Sequence, residues 1–192
     1  KIVASRVHKE SLEATSKQSA QFKQLVFQAK NTAFGHDHRF AEIHSEADFR
    51  QAVQIQDYEG LKPYIERVIA GEKDVLWPGI PKYFCKTSGT TSGVKYIPLT
   101  NDSMPNHIRS ARNALLCYIA ETGNAQFVDG KMIFLQGSPE LHHLPSGIPY
   151  GRLSGIVAHH VPAYLQKNRL PSFETNTIDD WETKLDTIVR ET

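Results

Sequence analysis

The residues best suited to chemistry lie in one short stretch, Lys86-Thr87-Ser88-Gly89-Thr90-Thr91-Ser92-Gly93-Val94-Lys95. Hydroxyl side chains surround Gly89 and Gly93, a lysine stands at each end, and no acidic residue intervenes to repel an anion. That composition suits phosphate. The glycines let backbone N–H groups turn toward one point, Ser88, Thr90, Thr91 and their neighbours add neutral donors, and Lys95 adds positive charge. Composition alone also leaves a plainer reading open, a solvated Ser/Gly/Thr turn.

The flanks define the loop further. Lys82-Tyr83-Phe84-Cys85 and Val94-Lys95-Tyr96-Ile97 are short, aromatic and β-branched, so two strands joined by the loop are expected. A Walker loop needs Gly-x-x-x-x-Gly-Lys-[Ser/Thr] running into a helix, and Gly89 and Gly93 are wrongly placed relative to Lys95. The dinucleotide fingerprint Gly-x-Gly-x-x-Gly is absent as well.

Other chemistries find weaker support. The nine histidines include His36-x-His38, His142-His143 and His159-His160. Adjacent histidines point apart, no His-x-x-x-His pair exists, and Cys85 and Cys117 do not join them, so no metal site is expected. Gly151-Arg152-Leu153-Ser154-Gly155 misses the Gly-x-Ser-x-Gly nucleophile elbow by one position, and Ser154 reads as a packing or loop residue. Lys plus Arg is 22 and Asp plus Glu is 21, a net charge of 22 − 21 = +1, which gives no field for nucleic acid. No apolar run approaches membrane-spanning length. Two distant cysteines outside any Cys-x-x-Cys pattern suggest reduced thiols and a cytoplasmic setting.

The elements that must position the loop follow from periodicity. Leu12, Ser19, Phe22, Val26 and Ala29 predict one long amphipathic helix from about Lys9 to Lys30, with Asn31 and Gly35 punctuating its end. Ser45 and Asp48 form a capping-box pattern before Phe49 and Val53. Asp57 opens another helix with Tyr58, Leu61, Ile65, Val68 and Ile69 on one face and Gly71 as its stop. Pro98 should end strand pairing, and Thr100 or Asn101 should cap a helix to about Thr122, with Ile108, Ala111, Leu115 and Ile119 inward. Arg109 and Arg112 flank that helix, near enough to the loop to share its pocket, although solvated helix arginines are the plainer reading.

Lys131 to Gln136 reads as a buried strand, Gly137 to Arg152 as a long ordered loop, and Leu153 to Val161 as a brief helix limited by Pro162. A final helix is expected from a Thr177 cap, with Trp181, Leu185, Ile188 and Val189 on its inner face. No repeat or linker divides residues 1–192, so one segment is expected, of class α/β with N-terminal helices packed on a mixed sheet.

Thr87 to Pro98 closely resembles the first ATP-binding motif of the auxin-responsive Gretchen Hagen family of acyl acid amido synthetases, members of the adenylate-forming superfamily. Asp48-Phe49, Asp57-Tyr58-Glu59, Pro63-Tyr64-Ile65, Gly71-Glu72 and Val75-Leu76-Trp77-Pro78-Gly79 are similar in order and spacing to the segment before that motif. Gln136-Gly137-Ser138-Pro139 and Gly151 to Gly155 resemble bacterial members. The resemblance implies ATP and Mg2+ as cofactors, and a carboxylic acid that is adenylated and passed to an amine such as an amino acid. It implies phosphate binding by Thr87, Ser88, Gly89, Thr90, Thr91, Ser92, Gly93 and Lys95, and pairing of Arg109 or Arg112 with the acid. Family members are far longer, so the chain is expected to be part of the large N-terminal domain and inactive alone, with part of its sheet uncovered. A ligase forming thioesters and a non-catalytic nucleotide-binding module remain the alternatives.

Overall fold

The computed structural model describes residues 1–87, 93–162, 166 and 168–192. Helices α1 (Ile2–Leu12) and α2 (Ala14–Ala29) open the chain. The single long helix expected there is therefore broken, at Glu13 (φ −103°, ψ 17°). Leu12 ends up 75% exposed, whereas Val26 and Ala29 are buried with Phe40 and Ile43. The apolar spacing was right only where tertiary partners exist to meet it.

Gly35 does not end a helix. It is buried inside α3 (Ala33–Asp37), whose start is capped by the Thr32 hydroxyl accepting from the Gly35 N–H at 3.0 Å. The expected capping box is present at α4 (Glu46–Ala52): Ser45 Oγ accepts from the Asp48 N–H, and the Asp48 carboxylate accepts from the Ser45 N–H. Asp57 caps α5 (Tyr58–Ile69), and Gly71 adopts φ +96° beyond its end.

The central sheet has the order β2-β1-β5-β4. Strands β1 (Tyr83–Lys86) and β2 (Tyr96–Leu99) form the hairpin that carries the loop. Pro98 lies within that pairing, opposite Phe84, rather than ending it. Because β2 is an edge strand, a missing N–H there breaks no ladder on its open side. The stretch read as one long loop contains β4 (His142–His143) and β5 (Pro149–Gly151), an antiparallel pair, and β5 runs parallel to β1.

Side chains alternate across the sheet and meet helices on both faces. Phe84, fully buried, packs with Ile65 and Val68 of α5 and with Val75 and Ile148. On the opposite face Tyr83, Cys85 and Leu99 meet Ile156 of α7 (Leu153–Ala158) and Met104, the first residue of α6 (Met104–Thr122). Thr100 and Ser103 bond reciprocally ahead of α6, so Thr100 shapes the turn and Ser103 occupies the cap position. Gly123 ends α6 at φ +69°. Of the inward face expected for α6, Ile108 and Ile119 are half-buried while Ala111 and Leu115 are exposed, and α1 packs against this helix.

The strand expected over Lys131 to Gln136 shrinks to β3 (Met132–Ile133), paired in parallel with β6 (Arg169–Leu170), and Leu135 is 69% exposed. The last segment forms two helices, α8 (Phe173–Thr177) and α9 (Trp181–Glu191). Asp180, not Thr177, caps α9, its carboxylate accepting from the Thr183 N–H at 2.9 Å. Lys184 and Ile188 form its buried side, while Trp181, Leu185 and Val189 are exposed.

Candidate functional site

Parallel strands β1 and β5 end at the same edge of the sheet, and the segments that follow them diverge there. In open α/β sheets a crevice at the carboxyl ends of strands is where ligands bind. A cleft of about 780 Å3 lies at this edge. That volume suits a small-molecule ligand.

One wall is the base of the loop. Lys86, Thr87 and Val94 line it. The Thr87 N–H donates to the Lys95 carbonyl at 3.0 Å, and the Lys95 N–H donates to the Thr87 hydroxyl at 3.3 Å, closing the loop at its neck. Gly93 turns the chain back at φ +80°, with nothing within 4 Å of where a Cβ would stand. The glycine is thus required by backbone conformation rather than by crowding.

Tyr58 of α5 anchors the returning stem. Its hydroxyl accepts from the Tyr96 N–H at 2.9 Å, and the Lys95 ammonium lies 5.4 Å from its ring centroid. Lys95 therefore rests on Tyr58, and the cation lining the cleft from this wall is Lys86. Sequence reasoning placed the loop's charge on Lys95 and had no cue for Tyr58, which lies two elements earlier in the chain.

The opposite wall is assembled from distant segments: Gln136 to Ser138, Glu140, Arg152 and Ser154, then Asn176, Asp179 and Lys184. Close packing brings the first two segments together. A Cβ on Gly155 would stand 2.3 Å from the Ser138 carbonyl oxygen, so only glycine allows this approach. Ser154 Oγ accepts from the Gly137 N–H at 3.3 Å and so ties the two segments together.

Lys184 is 6% exposed, and its ammonium donates to the Asn176 carbonyl at 2.7 Å. Burial pushes its pKa down, Asp179 pushes it up and Arg152 pushes it down again. Burial likewise raises the Cys85 thiol, which disfavours a thiolate nucleophile.

Of the residues expected to bind phosphate, Thr87 lines the cleft, while Gly93 and Lys95 form the returning stem. Ser88, Gly89, Thr90, Thr91 and Ser92 lie outside the described residues. Arg109 is exposed on α6, bonded to Asn106 at 2.5 Å, and opens on a second cleft with Trp77 and glutamines of α2. Arg112 is exposed and lines neither cleft. Neither arginine lines the cleft that Lys86 and Thr87 line. Among the described residues, no group of three or more His, Cys, Asp and Glu side chains is placed to hold a metal.

A mixed sheet clasped by helices on both faces, with a cleft at the ends of its parallel pair, defines an α/β ligand-binding architecture. Residues 3–189 match the model of the GH3 family N-terminal domain, and the chain belongs to the GH3 family. Two solved structures share the fold. One, described as GH3.15 acyl acid amido synthetase, is 17% identical with a TM-score of 0.72, over 92% of this chain and 31% of that one. The other, AtGH3.15 acyl acid amido synthetase in complex with 2,4-DB, is 21% identical with a TM-score of 0.58, over 83% of this chain and 29% of that one. The chain thus spans about a third of the length of these two relatives. Comparison with curated proteins gave no match. Among the described residues no helix is long and apolar enough to cross a membrane.

Proposed function

We propose that this chain is the N-terminal part of an ATP-dependent acyl acid amido synthetase, and that it handles the phosphates of ATP at the cleft beside β1. The supporting observation is the loop neck: in a GH3-family chain, a hydroxyl-rich loop is pinched shut between Thr87 and Lys95 at the mouth of a cleft of ligand size. In this reaction a carboxylate oxygen attacks the α-phosphorus of ATP and pyrophosphate leaves. An amine nitrogen then attacks the acyl carbon, AMP leaves, and the amine gives up its proton.

The residues present fit ATP. Lys86, Arg152 and Lys184 bring three positive charges to the cleft against Glu140 and Asp179. Backbone and hydroxyl donors of the loop would hold the β- and γ-phosphates, and Lys86 would add charge where negative charge builds on the leaving pyrophosphate. Mg2+, held chiefly by the phosphates and its own waters, would add positive charge there and would ask at most one or two carboxylates of the protein. Lys95, held over Tyr58, keeps the returning stem in place.

The test is carboxylate-dependent ATP–pyrophosphate exchange by the full-length enzyme, with a panel of aryl and indole acids. Exchange should require an acid, and Thr90→Ala combined with Lys95→Ala should lower it about 100-fold or more, the scale set by loss of preorganised donors. ATP binding without exchange for any acid would instead identify a non-catalytic nucleotide-binding module. Exchange followed by a thioester rather than an amide would identify a thioester-forming ligase.

A further inference from the structure

Gln136 lines the cleft opposite the loop but has no part in the reading above. Its side-chain oxygen accepts from an Arg169 guanidinium N–H, and Arg169 itself does not line the cleft. A guanidinium offers donors only, so the amide can meet it through oxygen alone. The Gln136 NH2 group is thereby turned away from Arg169, and among the described residues it has no hydrogen-bond partner. Its N–H donors are left for whatever occupies the cleft.

The surroundings hold this pair in place. Arg169 lies on β6, which runs parallel to β3 with Leu170 beside Ile133. The Phe134 N–H donates to the Leu170 carbonyl at 2.7 Å, and the Arg169 guanidinium lies 5.1 Å from the Phe134 ring centroid. Beyond Gln136, the Gly137 N–H is held by Ser154 Oγ. The backbone is anchored on both sides of Gln136, so the direction of its amide is what remains for Arg169 to set.

Arg169 also brings charge. It is half-buried, pairs with no carboxylate among the described residues, and keeps a buried Nε–H without a partner. A cation so placed polarises the amide it bonds, and hydrogen bonds in a chain strengthen one another. The Gln136 NH2 group therefore carries part of the pull of Arg169 to the cleft surface. Such a donor suits an anionic oxygen.

We propose that Arg169 is a positioning residue for ATP: it orients the Gln136 amide so that the NH2 group donates to a phosphoryl oxygen from the wall facing the loop. This rests on the ATP reading above.

The experiment measures ATP binding to the full-length enzyme by calorimetry with no acid present, together with the urea midpoint of the ligand-free enzyme. Failure of the wild type to bind ATP would count against the ATP reading itself, separately from this pair. With binding established, Gln136→Glu keeps an acceptor for Arg169 but replaces the NH2 donor with a charged oxygen. It should leave the urea midpoint unchanged or higher and weaken the Kd for ATP at least about ten-fold, the loss expected for a hydrogen bond to a charged group. Gln136→Glu that binds ATP as tightly as the wild type would overturn the proposal.

Arg169→Met leaves the amide present but unaimed, and should weaken ATP binding about three-fold to ten-fold. Arg169→Lys, which still offers only donors, should recover part of that loss. In a Gln136→Leu background Arg169→Met should change the Kd no further, because Arg169 acts only through Gln136. An equal effect of Arg169→Met with and without Gln136 would assign Arg169 a purely structural role and overturn the proposal. This comparison carries the test should Gln136→Glu fail to fold.

Discussion

The two walls of the cleft are built on opposite plans. The loop wall is local: one hairpin supplies Lys86, Thr87 and Val94, and Tyr58 fastens its returning strand. The far wall is convergent, because Gly137, Arg152, Asn176 and Lys184 come from separate elements and meet only after folding. Their chemistry differs accordingly. Hydroxyls, glycines and cations without a single acid surround the loop, whereas the far wall opposes Arg152 and Lys184 to Glu140 and Asp179. A local wall repeats one kind of contact, which is what the proposed binding of similar phosphoryl oxygens would use. A convergent wall sets unlike charges side by side, which is what discriminates between ligands.

The largest effect is expected from the core that supports the loop wall. Phe84 is 0% exposed between α5 and the sheet. Phe84→Ala should cost about 3–5 kcal/mol, lost burial plus the cavity left behind. That is a large share of the 5–15 kcal/mol typical of a domain. Urea denaturation followed by tryptophan fluorescence measures it. If the loop wall and the far wall are supported separately, amide exchange should accelerate more in β1 and β2 than in α9; equal acceleration would show that they fold as one unit.

The local plan explains what the sequence discloses. Capping residues Ser45 and Asp57 and stops Gly71 and Gly123 act within a few residues of themselves, so their spacing suffices to find them. The hairpin is legible for the same reason. The far wall is not, and α9 shows why. Of the apolar face expected there, Ile188 is buried, but Trp181, Leu185 and Val189 are exposed and the charged Lys184 takes their place inside.

Hydrophobicity locates a buried face only where burial is apolar throughout, and here the helix borders a polar cleft. No spacing in the sequence links Lys184 to Arg152. The exposed Leu135 and the expected face of α6 fail for a related reason: Leu135 stays open beside the cleft, and α6 meets α1 while Ala111 and Leu115 remain exposed.

A smaller change should act on the loop wall alone. Tyr58→Phe removes the hydroxyl that accepts from the Tyr96 N–H and leaves that donor unpaired in a half-buried position. The expected cost is about 1–2 kcal/mol. Exchange of the Tyr96 amide should speed up while the amides of α9 keep their protection. Loss of protection at both would mean that the returning stem also braces the far wall.

The smallest effect belongs to the far wall and is set by pH. Glu191, at the end of α9, accepts from the Ser172 N–H at 2.7 Å, from the Ser172 hydroxyl at 2.8 Å and from the Thr175 hydroxyl, tying α9 to the start of α8. The Thr175 hydroxyl is the main cause that holds its carboxyl below the ordinary glutamate value, with the Ser172 N–H second. A depressed folded pKa stabilises fully above the unfolded value and progressively less as pH falls through the folded one. Acidification past the ordinary glutamate range should therefore loosen α8 and α9. Asp180, lowered chiefly by the Thr183 hydroxyl, contributes in the same direction. The hairpin neck from Lys86 to Lys95 contains no carboxylate to titrate. Glu191→Gln should flatten part of the pH dependence of Thr175 and Asn176 amide exchange and leave that of Tyr96 unchanged. An unaltered profile at Thr175 would assign the acid sensitivity of this wall to Asp180 instead.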